Sequence, residues 1–152
     1  MTASHKGAAG KTLLIVEDEA LVAMELKDRL EEAGYHVVDL TDRHAEALEV
    51  AKASKPDLAL VNIRLAGRDD GIELAEQLKA LGIPVVFISG QSSRAHSATT
   101  VAIASMPKPY DAGDMVLAVA YLLRGLEGDH SGPAPNGLEV FDQNGFDVAP
   151  AA

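Results

Sequence analysis

The stretch LALVNIRLAG, residues 58–67, opens on four apolar residues in a row, meets one polar side chain at Asn62, and runs out into a small-residue loop. An apolar run this short and unbroken reads as a strand buried on both faces, which is how strands of a parallel sheet covered by helices on either side are written. Pro56 and Asp57 mark where it begins.

The flanking sequence repeats the pattern. Upstream stand TLLIV (12–16), a helix over about 19–33 with Val22, Leu26, Leu30 and Ala33 on one face and Gly34 as its stop, then HVVDL (36–40) and an Ala-rich helix over about 43–53. Downstream, DDGIELAEQLKALG (69–82) predicts a helix capped by Asp69 or Asp70, with Ile72, Ala75, Leu78 and Leu81 inward and Gly82 at its end. IPVVFIS (83–89) is an unbroken apolar strand and AIASM (102–106) a weaker one. A last helix, capped by Asp111, turns Met115, Val119, Leu122 and Leu126 to one side through residue 127.

Strand and helix thus alternate five times. Right-handed crossovers leave few ways to assemble such a chain, and the expectation is an α/β fold: a doubly wound, flavodoxin-like five-stranded parallel sheet in the order 2-1-3-4-5. GQSSRAHSATT (90–100) has weak helical spacing, so the fourth helix is expected to be reduced or irregular and His96 solvent-exposed. Residues 1–10 read as a flexible arm, 11–127 as the domain, and 128–152 as a Gly/Pro-rich tail. Within that tail LEVFDQNGFDVA (138–149) carries an Asn-Gly hairpin signal, set against a disordered tail.

Composition narrows the function. The 152 residues, 47% of them hydrophobic, suffice for one sizeable core. The absence of cysteine excludes disulfides, thiolate zinc sites and cysteine nucleophiles. A net charge of -10, with scattered Lys and Arg, argues against nucleic-acid binding. No apolar run suits a signal peptide or a membrane span, so a cytoplasmic protein without membrane contact is expected.

Ligands of such sheets collect at the carboxyl ends of the strands. There the sequence places Glu17 and Asp18 after the first strand, Asn62 after the third, Ser89-Gly90 after the fourth and Lys108-Pro109 after the fifth. Singly, Asp18 reads equally as a helix cap, Ser89-Gly90 as a turn and Lys108 as a solvated lysine. Together, acids suit a hard cation, and a hydroxyl with an ammonium suits phosphoryl oxygens. ED at 17–18, DLALVNIRL at 57–65, DGIEL at 70–74, PVVFISG at 84–90 and KPY at 108–110 resemble, in order and spacing, the CheY-like receiver domain of two-component response regulators. The resemblance covers roughly residues 11–127. It implies that Asp18 ligates Mg2+ directly with Glu17 nearby or through water, that position 62 and the main-chain carbonyl of Arg64 complete the metal site, that Ser89 contacts the phosphoryl group, and that Lys108 pairs with the acids and then the phosphate. It also implies a cis peptide bond before Pro109.

Asn62 stands where that family places the aspartate that accepts phosphate. An uncharged amide, its nitrogen lone pair delocalised, is a poor nucleophile, so phosphorylation at Asn62 is not expected. Neutralising one of three clustered carboxylates also removes repulsion, roughly 3 kcal/mol per pair at about 5 Å and an effective dielectric of about 20. The metal-free pocket should gain stability and Mg2+ affinity should fall. Deamidation is hindered by the β-branched Ile63; Asn136-Gly137 and Asn144-Gly145 suit it better. Two further departures are Ser105, where the family usually carries a switching aromatic, and the loop RLAGRDDG (64–71), which lacks the usual proline.

The leading expectation is a non-enzymatic, single-domain response regulator in phosphorelay signalling. It would contact a histidine kinase or phosphotransfer protein, an output protein, or a second copy of itself as a homodimer, and Asn62 would be natural in a pseudo-receiver or engineered to disable the site. The alternative is a constitutive protein-binding module on the same fold. A flavin binder would want hydroxyls rather than EDEA after the first strand. An aspartyl-type phosphatase would want two acids two residues apart there, a spacing met only by Glu17 and Glu19.

Overall fold

The computed structural model describes residues 10–64, 70–90 and 99–141. In chain order these form β1 (Thr12–Val16), α1 (Ala20–Glu32), β2 (His36–Thr41), α2 (His44–Ser54), β3 (Leu58–Asn62), α3 (Gly71–Ala80), β4 (Val85–Ser89), β5 (Ala104–Pro107), α4 (Ala112–Leu126) and β6 (Glu139–Val140). The strands make one sheet in the order β2-β1-β3-β4-β5-β6, parallel throughout except for the last pair.

Successive strand residues point to opposite faces, and here both faces are covered. Leu13, Ile15, Leu58, Leu60, Val86 and Ile88 pack with Leu26 and Leu30 of α1 and Met115, Val119 and Leu122 of α4. Leu14, Val16, Ala59, Val61, Val85 and Phe87 pack with Ala47 and Ala51 of α2 and Leu74, Ala75 and Leu78 of α3. Sealing both sides is why the central strands carry no polar residue before their ends. Each fully buried Leu or Ile contributes about 1.5–3 kcal/mol relative to exposure.

Helix boundaries follow local chemistry. Asp70 caps α3, its carboxylate accepting the Ile72 N–H at 2.8 Å, and Asp111 caps α4 through the Asp114 N–H at 3.1 Å. Gly71 matters for space rather than conformation. Its N–H donates to the Ile63 carbonyl at 2.7 Å, and a Cβ there would sit 2.1 Å from the Asn62 carbonyl oxygen. Only glycine lets α3 begin this close to the end of β3.

One expectation is corrected: the sheet has six strands rather than five. Residues assigned to the tail return to the sheet, where Val140 pairs antiparallel with Ala104 and Glu139 with Ser105. Phe141 is buried in the second core cluster and Leu138 packs against the first. Gly and Pro dominate 128–137, and the four residues that follow carry too short a pattern to signal a strand. β6 covers an edge that would otherwise present unpaired backbone groups. The Asn144-Gly145 turn, His96, residues 91–98 of the expected fourth helix and residues 65–69 of the loop after β3 lie outside the described residues. Among the described residues, no helix is long and apolar enough to cross a membrane.

Candidate functional site

The parallel strands all end at the same rim, and their terminal residues surround a crevice of about 420 Å³. It is lined by Asp18, Glu19, Asn62, Arg64, Ser89, Gly90 and Lys108. Glu17, buried beneath it, directly follows β1, with its N–H on the Thr41 carbonyl at 2.9 Å. All six residues expected at the site are therefore brought together.

Their pairing is specific. The Asn62 side-chain nitrogen donates to Glu17 Oε2 at 2.9 Å and to Asp18 Oδ1 at 3.0 Å, while Asn62 Oδ1 accepts the Arg64 N–H at 3.1 Å. Asp18 does not cap α1. That position belongs to Glu19, whose own side chain makes no cap bond and whose N–H goes to Glu17 Oε2 at 3.0 Å. Lys108 lies nearest Glu19, with Nζ to Oε1 at 2.7 Å, and reaches both Glu17 oxygens at 3.3 Å. Its main-chain N–H donates to the Ser89 carbonyl at 2.8 Å, which ties the ends of β4 and β5 together. The Lys108-Pro109 peptide is cis.

Burial pushes the Glu17 carboxyl above the usual range, and Asp18 adds to the rise. The Glu19 N–H, the Asn62 amide and the charge of Lys108 pull it back. Burial disfavours the charge on Lys108, but hydrogen bonding and charge from Glu19 and Glu17 outweigh it and hold that ammonium above the ordinary lysine value. Tyr110, beside the site, is pushed up to about 12 by burial and by the negative charges of Glu17, Glu25 and Glu19.

Sequence reasoning missed Glu19 as the close partner of Lys108. The run Glu17-Asp18-Glu19 carries the signal, a third acid within reach of the same lysine. An adjoining groove of about 440 Å³ between α1 and the loop after β5 shares only Glu19 and Lys108 with the crevice. Val22, Glu25, Leu26, Pro109, Tyr110 and Ala112 complete its lining.

Residues 13–120 match the response regulator receiver domain family. The chain belongs to that family. PdtaR, a transcriptional regulatory protein of Mycobacterium tuberculosis, is 33% identical over 122 residues, which is 78% of this chain and 59% of PdtaR. The chain thus spans well under two thirds of that relative's length. The crystal structure of the response regulator PhyR from Brucella abortus superposes with a TM-score of 0.70 at 25% identity, over 83% of this chain and 53% of PhyR. A CheY-like receiver domain protein from Methanospirillum hungatei gives 0.69 at 27% identity, over 78% of this chain and 97% of its own.

Receiver domains generally bind Mg2+ at this rim, and the donors here meet that requirement only in part. Two carboxylates are present, and Glu17 Oε1 is buried without a hydrogen bond but already faces the Lys108 ammonium at 3.3 Å. Asn62, however, turns its nitrogen rather than its oxygen toward both carboxylates. As arranged, the pocket does not fit the cation.

Proposed function

We propose that this receiver works in phosphorelay signalling through protein–protein contacts, and that Asn62 occupies the place of the phosphate-accepting aspartate and is not itself phosphorylated. The observation that carries this reading is Asn62 itself, buried at the carboxyl end of β3 and in hydrogen-bond contact with both Glu17 and Asp18. Ser89 and Lys108 border the same crevice, where a phosphoryl group would meet a hydroxyl and an ammonium. With no carboxylate at position 62, no acyl phosphate can form there, and Mg2+ binds more weakly for want of one negative ligand. Partners are a histidine kinase or phosphotransfer protein, an output protein, or a second copy of the chain, met in the cytoplasm. A net charge of -10 opposes direct contact with nucleic acid.

Intact-mass measurement after incubation with a small-molecule phosphodonor and Mg2+ tests the reading. Asn62→Asp is expected to gain one phosphoryl group and the unaltered chain none. A gain on the unaltered chain would sink the proposal.

A second reading, a constitutive binding module, draws on Ser105. This small side chain is buried in β5 and its backbone is paired with Glu139 of β6. No aromatic ring stands there to swing between a buried and an exposed position. If neither chain gains mass, this second reading is preferred.

A further inference from the structure

An amide at position 62 is more than a missing charge. Its NH2 carries two hydrogens, and each is committed to a different carboxylate, Glu17 Oε2 at 2.9 Å and Asp18 Oδ1 at 3.0 Å. These two acids are adjacent in the chain, and without a positive group between them their charges would repel across a partly dry crevice. The side chain of Glu17 is wholly buried and Asn62 is only 6% exposed, so water screens the Glu17 end of the contact poorly, while Asp18 stands exposed at the rim. The amide nitrogen therefore takes one oxygen from each carboxylate, as a bridging cation would.

The other end of the amide is equally committed. Asn62 Oδ1 accepts the Arg64 N–H at 3.1 Å, which fixes which way the group faces. Turning Oδ1 toward the carboxylates to ligate a metal would break both bonds to the acids. It would also set an NH2 against the Arg64 N–H, donor against donor. The whole arrangement opposes a divalent ion, beyond the loss of one negative ligand.

We propose that Asn62 is an internal substitute for the cation: its amide bridges Glu17 and Asp18 and holds the receiver pocket assembled without Mg2+. The amide carries no net charge; Lys108 supplies the positive charge from the other side, 2.7 Å from Glu19 and 3.3 Å from Glu17. The inference rests on reading this crevice as the receiver pocket, and it adds that the pocket is held in one metal-independent state. A partner recognising this rim then meets the same surface whether Mg2+ is present or absent.

The experiment is thermal unfolding of the full chain followed by circular dichroism, in chelator and then in millimolar MgCl2, for the unaltered protein, Asn62→Asp and Asn62→Ala. The unaltered chain is expected to show the highest midpoint in chelator and no shift with Mg2+. Asn62→Asp, isosteric but charged, should be lower in chelator and rise with Mg2+, with an affinity on the order of tenfold or more above that of the unaltered chain. Asn62→Ala removes the bridge without adding charge; it should fall in chelator and recover part of the loss in Mg2+, because the two freed carboxylates can then share the ion. Lost packing alone would lower its midpoint without any recovery. The proposal is overturned if Mg2+ raises the unaltered chain as much as Asn62→Asp, if Asn62→Ala matches the unaltered chain in chelator, or if Mg2+ restores nothing to it. None of these outcomes bears on whether a phosphodonor modifies the chain, so the two proposals fail separately.

Discussion

At the scale of single residues, the rim of the sheet is set by a glycine as much as by its charged groups. A Cβ on Gly71 would lie 2.1 Å from the Asn62 carbonyl oxygen and 2.7 Å from the Ile63 Cα, both backbone atoms that cannot step aside. Gly71→Ala is therefore expected to cost about 3 kcal/mol, the upper end for overpacking, and to displace the end of β3. Gly90, just past the end of β4, meets nothing within 4 Å among the described residues, and Gly90→Ala should cost under about 1 kcal/mol. Urea unfolding of the two variants checks the contrast; equal costs would mean that α3 can shift away from β3. The residues of the site were legible because strand ends are where a doubly wound sheet gathers its chemistry. How they pair was not. Lys108 prefers Glu19 over the deeper Glu17, and the Asn62 amide faces nitrogen-inward; both depend on rotamers that packing selects and spacing does not encode.

At the scale of elements, the strands and helices announced themselves through unbroken apolar runs and one-sided helical faces, because each must bury a surface wide enough to be seen in the sequence. β6 escaped for the opposite reason: two paired residues and one buried ring are too little pattern to detect beside a Gly/Pro-rich run. Its contribution is local but measurable. Phe141 is 9% exposed within the second core cluster, and its N–H donates to the Ile103 carbonyl at 2.9 Å. Phe141→Ala should destabilise the chain by about 3 kcal/mol, the low end for a truncated core phenylalanine. A loss of a third of that or less in urea unfolding would mean that β6 lies outside the cooperative unit.

For the whole molecule, alternation alone led to the layered fold, since helices on both faces of one parallel sheet are what five repeats with right-handed crossovers can build. Long-range electrostatics could not be read the same way, because they depend on which groups the fold buries together. Four groups that titrate at alkaline pH share one sense. Burial raises Tyr35, and Tyr110 rises to about 12 through burial and three nearby glutamates. Lys11 is raised chiefly by its hydrogen bond to Glu127, and Lys108 stays above its ordinary value despite burial. Each binds its proton more tightly folded than unfolded. Below the unfolded values, 10.0 for tyrosine and 10.5 for lysine, both states hold those protons and the stability is fully present. As pH climbs past 10 toward 12 the unfolded chain releases protons that the native state retains, and stability falls. Urea midpoints measured from pH 8 upward should therefore hold steady and then decline beyond about pH 10. Tyr110→Phe should soften that decline and remove the last tyrosine step from an ultraviolet titration, because its hydroxyl is buried without a hydrogen-bond partner. Loss of a step near the ordinary tyrosine value of 10.0 instead would show that the ring ionises as if in water, and that Glu17, Glu19 and Glu25 do not bear on it.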